Sequence, residues 1–170
     1  MLLYHGSRTR IDAPSLAMAR GHRDFGRGLY LAERESDSLG CCLKGGSPAG
    51  FLHIYEADPE ALLALPGAVA FDGADDGWLR LVFDCRMHGR PASLAVDPPV
   101  VAGPTAGRRV NELFRRYRRE GARFEDCVAE LRAGIVTDRF GAQWCLRTDG
   151  ALSLLGLVDI EEVRRDDDMW

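Results

Sequence analysis

Two short segments constrain this chain more than anything else in it. Tyr4-His5-Gly6-Ser7 ends an apolar run on a histidine, a glycine and a hydroxyl. Asp24-Phe25-Gly26-Arg27-Gly28-Leu29-Tyr30 follows about 20 residues later, and Ser38 lies eight residues beyond Tyr30. Each segment alone is weak. A histidine at a strand end is more often structural than catalytic, and a Gly-x-Gly loop is usually only a turn. Taken in order, they set a buried strand at 1–5, a loop at 6–28 rich in Gly and Arg, and a second short strand at Leu29-Tyr30-Leu31-Ala32.

The rest of the chain mixes helix and strand. Residues 33–43 read as a helix ended by Gly45-Gly46, and 51–57 alternate as a strand. Asp58-Pro59-Glu60 either caps a short helix, with Pro at its first position, or opens an irregular strand through Leu65. Residues 75–88 read as a helix with Trp78, Leu79, Val82 and Cys85 on one side. Ser93 to Val101 is extended. Val110, Leu113, Phe114 and Tyr117 share a helical face, as do Phe124, Cys127, Val128 and Leu131, with Gly121 as the stop between them. Residues 143–147 form a strand, Thr148 caps a short helix at 149–155, and 157–163 alternate as a last strand. There is no regular βαβ pattern, so the fold class is α+β.

A length of 170 residues fits one domain, 1–170. No apolar run approaches the ~20 residues of a membrane span, and the first residues carry no signal-peptide pattern. The five cysteines form no Cys-x-x-Cys pair, which argues against a disulfide framework or zinc site and for a reducing, cytoplasmic setting. The net charge of −4 argues against a broadly cationic nucleic-acid binder. Charge is nonetheless uneven. Arg108, Arg109, Arg115, Arg116, Arg118 and Arg119 crowd one stretch, and Asp166, Asp167 and Asp168 come near the end. The arginines are either a solvated face or a grip on a polyanionic target or a pyrophosphate.

The paired segments resemble the NAD-binding core of the ADP-ribosyltransferases, in the branch that holds the poly(ADP-ribose) polymerases and diphtheria toxin. They are most similar to a bacterial family of that branch, DUF3990. Gly103-Pro104-Thr105-Ala106, with Arg109-Val110 and a helix after it, resembles a further block of that family. The resemblance implies an ADP-ribosyltransferase-like fold, with two small, mostly antiparallel sheets forming an NAD cleft and helices on the flanks. It implies that His5 contacts the nicotinamide ribose, that Gly6 pairs with the carboxamide through its backbone, that Tyr30 stacks on nicotinamide and that Ser38 bonds the carboxamide. Ser7, Phe25, Gly26, Arg27, Gly28 and Leu29 complete the implied NAD-binding set. The branch's His-Tyr-Glu triad becomes His5, Tyr30 and Gln143.

The chemistry suits these residue types. Breaking the nicotinamide–ribose bond leaves an oxocarbenium-like sugar, and a protein helps by gripping nicotinamide and stabilising that charge. An aromatic face against a cationic ring contributes about 0.5–2 kcal/mol, and a glycine admits close backbone approach.

Three departures bear on activity. Gln143 keeps a hydrogen bond but loses the charge of a glutamate, which argues against chain elongation and for mono-transfer. A carboxylate restored there is expected to raise NAD hydrolysis. Cys41 replaces the second stacking aromatic, so that face is either bare or covered by Trp144 or Phe25. Gly141-Ala142 replaces the usual Asn-Asp, and Arg147 the usual His.

The expected function is mono-ADP-ribosyl transfer from NAD to a protein or nucleic-acid acceptor, in a toxin or defence setting with an antitoxin or immunity partner and no membrane. The alternatives are an NAD- or ADP-ribose-binding module without activity, and an RNA 2′-phosphotransferase. Asp138, Glu33 and Glu35 are the reserve candidates should Gln143 be structural.

Overall fold

A computed structural model describes residues 1–121, 123–132 and 141–165. Asp138 and Asp166–Asp168 lie outside the described residues, as do the side chains of Arg108, Arg109 and Leu131. The strands are β1 (Leu2–Ser7), β2 (Leu29–Ala32), β3 (Ala49–Glu56), β4 (Val69–Ala70), β5 (Val100–Pro104), β6 (Ala142–Leu146) and β7 (Gly156–Arg164). The helices are α1 (Glu35–Cys42), α2 (Pro59–Leu63), α3 (Asp76–His88), α4 (Arg108–Glu120), α5 (Phe124–Arg132) and α6 (Asp149–Leu152).

The class is α+β, but the expectation of two sheets needs correction. The described strands form a single seven-stranded sheet in the order β4-β5-β6-β2-β1-β3-β7, antiparallel except for β4 against β5. Its middle seam is thin. β1 and β2 share one residue pair, Tyr4 with Ala32, whereas β1 pairs with β3 along all six of its residues. Beyond Tyr4 the β1–β2 ladder gives way to a side chain, because His5 Nδ1 donates to the Tyr30 carbonyl at 2.7 Å. The sheet thus opens between its halves, and the opening is a cleft.

Local chemistry accounts for most of the elements. Asp58 caps α2 by accepting from the Glu60 N–H, with Pro59 at the first helical position. This settles the 58–65 ambiguity for helix. Asp75 caps α3 through the Trp78 N–H, and Thr148 caps α6 through the Ala151 N–H. Trp78, Leu79, Val82 and Cys85 of α3 are all fully buried. With Val110, Leu113 and Phe114 of α4 they cover the sheet face that carries Val101 and Cys145. The Phe83 ring meets the rings of Phe114, Tyr117 and Phe124 edge-on, at 5.4, 4.8 and 4.9 Å between centroids. Val100, Ala102, Trp144 and Leu146 point the other way, into a second core with Leu62 of α2 and Leu152 of α6.

Some boundaries differ from the sequence reading. α6 ends at Leu152 rather than 155. The 93–99 stretch turns rather than extends, and β5 begins only at Val100. Among the described residues no helix is long and apolar enough to cross a membrane.

Candidate active site

The cleft encloses ≈ 1690 Å³, above the range of about 300–1,000 Å³ usual for a small-ligand pocket. Its walls bring together His5, Gly6 and Ser7 from β1, Gly28, Leu29 and Tyr30 at the start of β2, Ser38 and Cys41 of α1, and Gln143 of β6. Cross-strand register does much of this. Gln143 sits opposite Ala32, and Tyr30 opposite Cys145, so Gln143 and Tyr30 occupy diagonal positions on one face of a two-strand ladder.

Gly6 lets α1 lie close on β1. A Cβ at this position would stand 2.0 Å from the Ser38 carbonyl oxygen and 3.0 Å from Cys41 Cβ. The Ser38 hydroxyl closes the same contact by donating to the Tyr4 carbonyl at 2.8 Å. Gly28 answers a similar demand, because a Cβ there would meet Cys145 Sγ at 2.4 Å.

His5 is held in one tautomer. Its Nδ1 donates to the Tyr30 carbonyl, so the neutral ring keeps a lone pair on Nε2. Burial pushes its pKa below the ordinary 6.5, against the Tyr30 hydrogen bond, with the charges of His53 and Arg23 adding to the fall. The backbone of β1 is braced from behind by His53, which is fully buried. His53 Nδ1 donates to the His5 carbonyl at 3.1 Å, and its Nε2 accepts from the Ile11 N–H at 2.8 Å. Burial lowers the His53 pKa as well. Both rings are more basic unfolded than folded. Their stabilisation is therefore complete above pH 6.5 and is lost as pH falls through the lowered values. The melting temperature should drop as pH is taken from 7 towards 5.5, and a flat profile across that range would contradict this account.

Tyr30 is fixed at its hydroxyl, which donates to the Gly26 carbonyl at 2.7 Å and accepts from the Phe25 N–H at 2.9 Å. Burial raises its pKa well above 10, so it stays a neutral phenol. The Arg23 guanidinium lies 5.8 Å from its ring centroid.

Gln143 is buried, and its Nε2 donates to Asp24 Oδ2 at 2.8 Å. A carboxylate only accepts, so the amide nitrogen must face it and Oε1 becomes the outward acceptor. Asp24 itself is full. Its Oδ1 takes Arg86 Nε at 2.8 Å and also Arg86 Nη2, and its Oδ2 takes the Ala106 N–H at 2.9 Å beside Gln143. Arg86 Nη1 goes on to Asn111 Oδ1. One buried carboxylate thus ties the glycine loop to α3, β6 and the entry of α4.

The other sequence candidates are placed as follows. Phe25 is fully buried in the core, Gly26 faces Cys85 and Arg147, and Arg27 is exposed and donates to the Leu16 carbonyl. None of the three lines the cleft. Trp144 and Phe25 do not cover the side at Cys41. Trp144 is buried in the second core, with its Nε1 on Glu33. Arg147 lies under the glycine loop and donates Nε to the Arg27 carbonyl at 3.1 Å. Burial raises the Cys85 and Cys145 thiols to about 12, so neither is a thiolate nucleophile. Sequence reasoning passed over Asp24, Arg86, Asn111 and His53. Asp24 stood in the quoted motif, but its partners are 62 to 119 residues away.

With the fold and cleft in view, the chain belongs to the DUF3990 family, described as proteins of unknown function, whose sequence model matches residues 1–157. The match takes in every element except most of β7. No curated protein matches the chain.

Proposed function

We propose that the protein binds NAD in this cleft, cleaves the nicotinamide–ribose bond and transfers ADP-ribose to an acceptor. The observation that carries the reading is the convergence of His5, Tyr30, Ser38 and Gln143, far apart in sequence, on one cavity. His5 Nε2 accepts from a hydroxyl of the nicotinamide ribose. The Tyr30 ring supports the cationic pyridinium, and Gln143 Oε1 accepts from the second ribose hydroxyl. As the C1′–N bond breaks, its electron pair neutralises nicotinamide. C1′ then bonds to the acceptor nucleophile, whose proton leaves to water.

Gln143 offers the developing sugar charge a dipole rather than a full charge. At ~4 Å and an effective dielectric of ~20, a full charge would contribute about 4 kcal/mol. Slow mono-transfer fits this arrangement better than chain elongation. The same neutrality favours the second reading, a module that holds NAD or ADP-ribose without reacting. Incubation with NAD separates the two, because a transferase releases nicotinamide and a binding module only raises the melting temperature. No release and no melting shift at millimolar NAD would remove both.

Tyr30 tests the geometry. Tyr30→Ala should weaken NAD binding roughly tenfold, about 1–2 kcal/mol. Tyr30→Phe keeps the ring and should bind NAD within about threefold of the parent, while losing ~1 kcal/mol of fold stability with its two hydrogen bonds. Equal NAD affinity in parent and Tyr30→Ala, read by calorimetry, would place nicotinamide elsewhere.

Asp24 changes what Gln143→Glu should do. The new carboxylate would face Asp24 Oδ2, now 2.8 Å from the amide nitrogen, and two carboxylates so close cannot both ionise easily. Its folded pKa is raised above the unfolded value of about 4.3, so the variant should approach parental stability at low pH and lose it as pH rises through the raised pKa. Melting temperatures from pH 4 to 8 read this directly. Parallel curves for parent and variant would refute it, and a gain in NAD hydrolysis, which needs the ionised carboxylate, would show only as pH rises through the raised pKa.

A further inference from the structure

Six cationic side chains line the cleft with no carboxylate among the described residues paired to them: Arg8, Arg20, Arg23, Lys44, Arg115 and Arg118. All six are exposed, and among the described residues none makes an ion pair. The carboxylates of the lining are Asp24 and Asp37, and both are engaged. Asp24 holds Arg86, and Asp37 accepts from the Gly141 N–H at 2.9 Å. The chain carries a net −4, so positive charge is gathered here against the overall balance. The six come from four separate segments: the exit of β1, the loop before β2, the exit of α1 and one face of α4. The field reaches the reacting end of the cleft, where the charge of Arg23 lowers the His5 pKa.

NAD does not account for this many charges. Its pyrophosphate carries about two, which leaves four cations repelling one another unless a further anion enters. Five of the six are arginines, whose planar fork matches phosphate oxygens. Their arrangement around a concave cleft suits an extended, flexible polyanion better than the convex surface of a folded acidic protein. We propose that the cleft binds a single-stranded nucleic acid, and that this strand is the acceptor. The binding stands by itself. The acceptor role rests on the NAD reading above, with a strand hydroxyl or base nitrogen bonding to C1′ as nicotinamide departs and the nucleophile's proton passing to water.

Fluorescence anisotropy with labelled RNA and DNA single strands of about 12 nucleotides tests the binding, with a poly-glutamate peptide and the matching duplex as competitors. Without NAD, log affinity should fall with log salt at a slope of about −4, as expected for about six neutralised phosphates. The double variant Arg115→Gln, Arg118→Gln removes two exposed charges and should flatten that slope by about 1.4. Arg8→Gln with Lys44→Gln, from the exits of β1 and α1, should flatten it similarly. No anisotropy change at low salt, an unchanged slope in both double variants, or tighter binding of poly-glutamate or duplex would overturn the proposal. With unlabelled NAD added, mass spectrometry should find ADP-ribose on the bound strand. Released nicotinamide with an unmodified strand would overturn the acceptor role. An NAD melting shift without strand binding would overturn this inference and leave the NAD reading intact. Strand binding without nicotinamide release would sustain the site and count against the transferase.

Discussion

Asp24→Ala should cost the fold about 3–5 kcal/mol. At ~2–4 °C per kcal/mol for a chain of this size, the melting temperature should fall by roughly 6–20 °C. The carboxylate is almost buried and holds four hydrogen bonds on four different donors. Its removal leaves the Arg86 guanidinium, whose side chain is 19% exposed, as an uncompensated charge. The Ala106 N–H and the Gln143 amide lose partners in the same step. Most of the loss should come from the stranded charge, so adding Arg86→Met to Asp24→Ala should recover part of it. Nicotinamide release should not return with stability, because Gln143 would still lack the group that orients it. A melting temperature within about 2 °C of the parent would show that Asp24 is no hub.

Gly6→Ala should be nearly as severe, for a different reason. The added methyl would meet the Ser38 carbonyl at 2.0 Å, a backbone atom that cannot rotate aside. Strand and helix must part, at a cost of about 3 kcal/mol or more, and the Ser38–Tyr4 hydrogen bond parts with them. The melting temperature should fall by ~6–12 °C, and NAD affinity should fall with it. Gly40→Ala, two residues beyond Ser38 on the same helix, provides the contrast. A Cβ there meets nothing within 4 Å, so the change should stabilise by roughly 0.5–1 kcal/mol through helix propensity alone. If both substitutions move the melting temperature the same way, the close approach of α1 to β1 is not what Gly6 serves.

Much of the fold was legible because its signals are local. The helical faces of α3, α4 and α5 follow from apolar spacing, and the starts of α2, α3 and α6 from Asp58, Asp75 and Thr148 acting on their own next turns. β4 was not legible, since two residues carry no alternation to read. The stretch before β5 was read as extended because its prolines favour that backbone, while Ser93 in fact turns its N–H onto Asp84 of α3 at 2.7 Å. Whether the strands make one sheet or two hangs on the single pair Tyr4–Ala32, which no periodicity foretells. At the site, the paired motifs pointed to His5, Gly6, Tyr30 and Ser38, and the family resemblance to Gln143, and all five line the cleft. Neither pointed to His53, which fills an apolar position in an alternating strand, nor to the hub at Asp24, whose meaning lies wholly in distant partners.

The partners of Asp24 also set an order of events. Arg86, Ala106 and Gln143 lie 62, 82 and 119 positions further along the chain, so none can be satisfied by a neighbouring turn. Closing such long loops is slow, and contacts of this span form after the helices around them. On the ribosome, the strand bearing Gln143 emerges well after His5 and Tyr30. Until then the cleft lacks the Gln143 side chain from its lining. A growing chain therefore carries an unfinished cleft for most of its synthesis, and any chemistry the cleft performs begins only after β6 has threaded into the sheet.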